Sequence, residues 1–209
     1  MADLATCRPL TRDSVIEAHA LIKPLVHLTP VLTNKTLDEL ASTPRHVASL
    51  TGTKWQGRTP AKPTLRLYFK CENLQRIEPE YEGADDAKRG YETGKRVETV
   101  KSLTIADGLR TPVGVHPWGV IYERKLVSAM FAVSEDDILQ ATKLVFERFK
   151  LVIEPSAAVP LATALYNEDF RAMVEREAGE AGWDLGLVFS GGNIAMDGLV
   201  ELFAAEQQS

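Results

Sequence analysis

Cysteine is nearly absent from this chain of 209 residues: Cys7 and Cys71 are the two present, and they lack the spacing of a metal site. Neither a disulfide framework nor a cysteine zinc site is therefore expected to hold the fold. Long apolar runs are missing as well. Stretches such as Leu126 to Val133 stop far short of the ~20 residues a membrane helix needs, and the start of the chain has no basic segment leading into an apolar one. The expectation is a cytoplasmic chain that does not span a membrane. Aromatic residues make up only 7% of the chain. Basic residues are outnumbered, 24 Lys and Arg against 29 Asp and Glu, for a net charge of −5. Residues 1–70 reverse that balance, with 10 basic against 5 acidic residues, yet the positive side chains stand singly from Arg8 to Lys70 without interleaved aromatics. No nucleic-acid partner is expected from that pattern. What is present is 44% hydrophobic and 25% charged residues, enough for one large domain that buries roughly 70% of its unfolded surface.

The patterning predicts helices alternating with short strands. Leu10 to Lys23 has nearly helical apolar spacing, with Thr11 or Ser14 as N-cap and Pro24 as its end. Thr29-Pro30-Val31-Leu32 reads as a short extended piece, followed by a helix over Asn34 to Ala41. Residues 42–64, rich in Pro, Gly, Thr and Ser, read as a loop insertion before the strand Leu65 to Cys71. The acidic stretch 76–101 shows no period and is expected to be poorly ordered. Beyond it the sequence predicts short helices over Thr104 to Leu126, a strand over Ser128 to Val133, and a helix opened by the capping pair Ser134 and Asp137. Helices from Pro155 to about Leu165 and Asp169 to Ala178, a strand over Leu185 to Phe189 and a closing helix over Ala195 to Ala205 complete the series. This is the pattern of an α/β layer with a parallel sheet and flanking helices. The chain divides into an N-terminal part (1–75), the acidic junction (76–101) and a C-terminal part (102–209).

Three features could carry chemistry. Ser190-Gly191-Gly192-Asn193 follows a buried strand and precedes a helix, so its backbone amides face the carboxyl end of a sheet, where ligands bind. Glu154-Pro155-Ser156-Ala157-Ala158 opens a helix with small residues that permit close approach. Each also fits a purely structural turn, a strand-to-helix glycine turn or a proline at the first helical position. Glu80, Glu82, Asp85 and Asp86 offer oxygen ligands to Mg²⁺ or Ca²⁺, or simply a solvated acidic loop. A Gly-x-Ser-x-Gly elbow, a P-loop and a Gly-x-Gly-x-x-Gly turn are all missing. His19, His27, His46 and His116 have no neighbour that marks a catalytic pair.

Taken in order, five segments resemble one family. His27-Leu28-Thr29-Pro30-Val31-Leu32, Tyr68-Phe69-Lys70-Cys71-Glu72-Asn73-Leu74-Gln75, Thr104-Ile105-Ala106-Asp107-Gly108-Leu109, Glu154-Pro155-Ser156-Ala157 and Ser190-Gly191-Gly192-Asn193 are similar to the serine racemases and the threonine and hydroxyaspartate dehydratases. Those are pyridoxal-phosphate (PLP) enzymes of the tryptophan synthase β-like fold (PLP fold type II). The resemblance implies a cofactor site at Ser190, Gly191, Gly192, Asn193 and Glu154, with Ser190 at the pyridine nitrogen and Glu154 near the ring. It also implies a divalent-cation site for Mg²⁺ at Glu80, Ala84 (through its carbonyl) and Asp86, although Tyr81 stands where the family has proline.

The departure from the family is internal. Gln75 runs almost directly into Arg76-Ile77-Glu78-Pro79, where the family continues into the Schiff-base lysine, a substrate-carboxylate loop and a glycine-rich phosphate cradle. None of these has a counterpart here, so no catalytic residue is assigned, and Lys70 does not match the family lysine. The resemblance thus implies a large domain whose small-domain companion is largely missing. Two functions follow: a truncated family member that is inactive as this chain, or a non-catalytic binding or regulatory protein. The partners implied are a small hydroxy-amino acid for the family reaction, and a second copy of the chain or a full-length paralogue.

Overall fold

The computed structural model describes residues 11–74, 85–101 and 104–204. Helix α1 (Arg12–Ile22) opens with a capping box in which the Ser14 amide donates to Thr11 Oγ1 and the Thr11 amide donates to Ser14 Oγ. Strand β1 (Val31–Thr33) leads to α2 (Lys35–Ser42), capped by Asn34 Oδ1 on the Leu37 amide at 3.2 Å. Strand β2 (Leu65–Lys70) alternates buried and exposed positions, as its sequence predicts. Helices α3 (Asp86–Thr93) and α4 (Val115–Trp118) follow. Then come α5 (Glu135–Phe149), α6 (Pro155–Tyr166), α7 (Glu168–Ala178), strand β3 (Trp183–Val188) and α8 (Met196–Ala204).

The three strands form one sheet in the order β1-β2-β3. β2 and β3 are parallel, with Leu65 opposite Trp183 and Lys70 opposite Val188, and β1 joins β2 antiparallel. One sheet face packs on α2 and α6, and α5 lies against α6. Phe69 is fully buried at the centre of that face, its ring 4.7 Å from Phe149 and 5.0 Å from Phe189. α6 is buried through Ala157, Ala158, Leu161, Ala162 and Leu165. Its alanines let the neighbouring elements approach closely, and each fully buried leucine contributes about 2 kcal/mol.

Two local expectations differ from what is observed. Ser128 to Val133 is apolar enough for a strand but makes no ladder. Asn167 Nδ2 donates to the Ala132 carbonyl, and the Phe131 ring packs edge-on against Phe170, so the segment is spent on α7. Within the aperiodic stretch 76–101, the residues that can be described include helix α3, closed by Gly94 in the left-handed region at φ 72°. Its order comes from aromatic packing rather than period: Trp118 stacks on Tyr122, and Tyr91 meets Tyr122 edge-on. The insertion 42–64 is pinned to the core by Leu50 and Trp55, both buried.

Candidate functional site

β3 ends at Val188, and the chain turns through buried Phe189, Ser190 and Gly191 before α8 begins at Met196. Three backbone connections hold this turn. The Phe189 amide donates to the Lys70 carbonyl, the Asn73 amide to the Phe189 carbonyl, and the Glu154 amide to the Gly191 carbonyl at 3.1 Å. Asn73 Nδ2 also donates to the Val152 carbonyl. Both glycines are required by close approach. A Cβ on Gly191 would lie 2.7 Å from the Glu154 carboxylate, and one on Gly192 would lie 2.9 Å from the Val152 carbonyl oxygen. The small turn Asp107–Leu109 docks on the start of α6, its Gly108 amide donating to Ser156 Oγ at 3.1 Å.

These segments border a cavity of about 480 Å³ whose lining includes Ile105, Leu139, Glu154, Pro155, Asn193 and Ile194. Its carboxylates are Asp107, Glu135, Asp136, Glu154 and Glu201, and Arg110 is the one cation among the lining residues. Arg110 already donates through Nε and Nη2 to the Thr104 carbonyl. Glu135 accepts the Ile105 amide, and Asp107 the Gly108 amide. Glu135 and Asp136 also occupy the first turn of α5, where negative charge is favoured by the exposed helix amides.

The five residues expected at a cofactor are thus brought to one place, although only Glu154 and Asn193 line the cavity. Ser190 is 9% exposed. Of the expected cation ligands, Glu80 and Ala84 lie outside the described residues. Asp86 is 1% exposed, and its Oδ2 accepts the Val113 amide at 2.8 Å. Among the described residues no cluster of three metal-ligating side chains occurs. Lys70 is not part of the cavity: its Nζ donates to the Thr29 carbonyl and pairs with Glu72 at 3.2 Å. Sequence reasoning missed Arg110, Glu135 and Leu139, since nothing in their local pattern separates a cleft wall from an ordinary turn or helix face. Asp107 was within a landmark and could have been found there.

A family model described as pyridoxal-phosphate dependent enzyme matches residues 73–177. The chain belongs to that family. It is 35% identical to a beta-hydroxyaspartate dehydratase of Paracoccus denitrificans over 123 residues, covering 59% of this chain and 36% of the relative. It is 33% identical to a serine racemase of Arabidopsis thaliana over 146 residues, 70% of this chain and 40% of the relative. The chain therefore spans well under half the length of these curated relatives. The fold is that of maize serine racemase, with a TM-score of 0.69 at 18% identity over 93% of this chain and 98% of that one. Among the described residues no helix is long and apolar enough to cross a membrane.

The cofactor of this pyridoxal-phosphate dependent family carries a phosphate and an aldehyde, and needs a cradle of donors for one and an amine for the other. The residues that line this cavity do not fit it. No lysine lines the cavity, its single guanidinium is occupied, and its five carboxylates oppose a phosphate dianion.

Proposed function

We propose that this chain is a catalytically incomplete member of the serine racemase and hydroxy-amino-acid dehydratase branch. Residues 1–75 and 102–209 form what it keeps of the large domain. Racemisation or α,β-elimination of a hydroxy-amino acid belongs in this reading to complete relatives and not to this chain. The observation that supports it is the cavity at the carboxyl end of β3, which Glu154 and Asn193 of the expected cofactor site line and no lysine does. The sequence supports the same reading, since Gln75 passes almost directly to Glu78-Pro79. Covalent catalysis needs nucleophile and phosphate anchor together, and groups that act as a unit leave little activity when both are missing.

The test uses purified protein mixed with pyridoxal phosphate, reduced with borohydride and digested for mass spectrometry, alongside pyruvate release from serine. Neither site-specific pyridoxyl-lysine nor pyruvate above background is expected. A single stoichiometric adduct with accompanying pyruvate would overturn the proposal.

A further inference from the structure

The insertion 42–64 builds a second cavity. Where it leaves α2 it meets the end of α6, and together they border a space of about 310 Å³, at the small end of the range for small-molecule sites. This space shares no lining residue with the cavity at the end of β3. Its walls are chiefly apolar: Leu40 from α2, Pro44 from the insertion, and Leu165 and Tyr166 from α6. No carboxylate lines it, whereas Arg45 and His46 do.

Arg45 is held in place with most of its donors unspent. Its Nη1 donates to the Tyr166 carbonyl at 2.5 Å, and the guanidinium carbon stands 5.7 Å from the centre of the Tyr166 ring. Among the described residues Nε and Nη2 have no acceptor, and no carboxylate pairs with Arg45. That edge of a guanidinium is a fork that takes both oxygens of one carboxylate. The neighbouring hydroxyls are committed, Thr43 donating to the Glu39 carbonyl and Ser49 to the His46 carbonyl. His46 Nδ1 accepts the Ala48 amide, which leaves Nε2–H as its ring donor. Arg45 also lies close enough to Arg171 for the two positive charges to oppose each other, and Glu168 pairs with Arg171. Burial, with Asp137 adding to it, pushes the Tyr166 phenol up to about 12. Asp137 itself does not line the cavity and accepts the Ser134 amide and hydroxyl.

We propose that this cavity binds a small monocarboxylate with an apolar body, its two oxygens on Arg45 and its body against Leu40, Leu165 and the Tyr166 ring. A lining without an acidic group leaves an amine, or the ammonium of a free amino acid, unpaired. A phosphate dianion needs several donors and meets one guanidinium, with apolar walls against its remaining oxygens. Leu40, His46 and Ser49 are exposed, so water stays at the mouth and the affinity is modest.

The experiment titrates the full chain with phenylacetate at constant ionic strength, followed by saturation-transfer NMR on the ligand. Saturable binding with a Kd of about 1 mM is expected. Phenethylamine, with the same ring and the opposite charge, should bind at least ten-fold more weakly, and equimolar inorganic phosphate should not displace phenylacetate. Arg45→Gln and Leu40→Glu should each weaken phenylacetate at least ten-fold. Leu40 is 44% exposed, so Leu40→Glu sets a carboxylate in the wall without touching the core; circular dichroism and melting temperature check that both variants fold. Absence of saturable binding, equal binding of phenethylamine, displacement by phosphate, or a folded variant of either kind that binds like the parent would each overturn the proposal.

Discussion

Arg171 and Glu168 form an ion pair at 3.1 Å with side chains 0% and 3% exposed. The guanidinium also donates to the carbonyls of Ala41 and Thr43 at 2.6 Å, and Glu168 Oε2 accepts the Ala61 amide. One buried side chain thus fastens α7 to the end of α2 and to the segment leading into β2. Burial pulls the Arg171 pKa below its ordinary value, although the neighbouring Glu168 carboxylate favours the charged form. Arg171→Ala strands Glu168 as a buried charge and is expected to cost about 3–5 kcal/mol in urea unfolding. Arg171→Lys will not restore this, because a single ammonium cannot reproduce the planar fork of donors.

Gly191→Ala is expected to destabilise by about 1–3 kcal/mol, since its methyl would press on the Glu154 carboxylate. In a Glu154→Ala background the same substitution should cost less by at least about 0.5 kcal/mol. A double-mutant cycle by thermal unfolding measures the difference; additive penalties would place the strain elsewhere.

Acid should weaken the tie between the insertion and α7. Burial pushes the Asp169 carboxyl up, but hydrogen bonds from Lys54 at 2.6 Å and Arg58 at 2.8 Å outweigh it and hold the pKa at about 2. A carboxyl depressed in the folded state contributes stability above its unfolded value near 3.9 and loses it as pH falls through about 4 to about 2. Asp169 is 38% exposed, so screening limits the contribution to about 1 kcal/mol. Asp169→Asn should flatten the stability curve in that window, and 1 M salt should reduce the effect in the parent chain.

Mg²⁺ is expected to bind weakly, with a dissociation constant of about 1 mM or above by calorimetry. One oxygen of Asp86 is committed to Val113, and its partner Oδ1 is buried without a hydrogen bond. Asp86→Ala should lower stability by about 1–3 kcal/mol by leaving the Val113 amide without an acceptor. Tight binding that survives this substitution would separate the ion from Asp86 altogether.

What was legible in the sequence is what residues three or four apart decide. Ser134 and Asp137 close the capping box at the head of α5, and Leu65, Leu67 and Phe69 alternate into the core as their pattern requires. The gathering of Glu154 against Gly191 followed from the family's order of landmarks, not from any local signal. Helix α3 escaped because its stability rests on Trp118 and Tyr122, far along the chain. The strand expected at Ser128 to Val133 failed because apolar content does not supply a pairing partner. Arg171 looked like any surface charge on a charged helix, and only the carbonyls of Ala41 and Thr43 show otherwise.

The pairing of Lys70 with Val188 also imposes a timetable on synthesis. β2 leaves the ribosome before α5, α6 and α7 exist, and at about 5–20 residues per second it waits on the order of ten seconds for β3. During that interval Leu65, Leu67 and Phe69 have α2 beside them but lack both their parallel neighbour and α6. The nascent chain is most open to chaperones and to mispairing then, and sequence changes that slow translation between Cys71 and Gly182 would lengthen the exposure without altering the finished molecule.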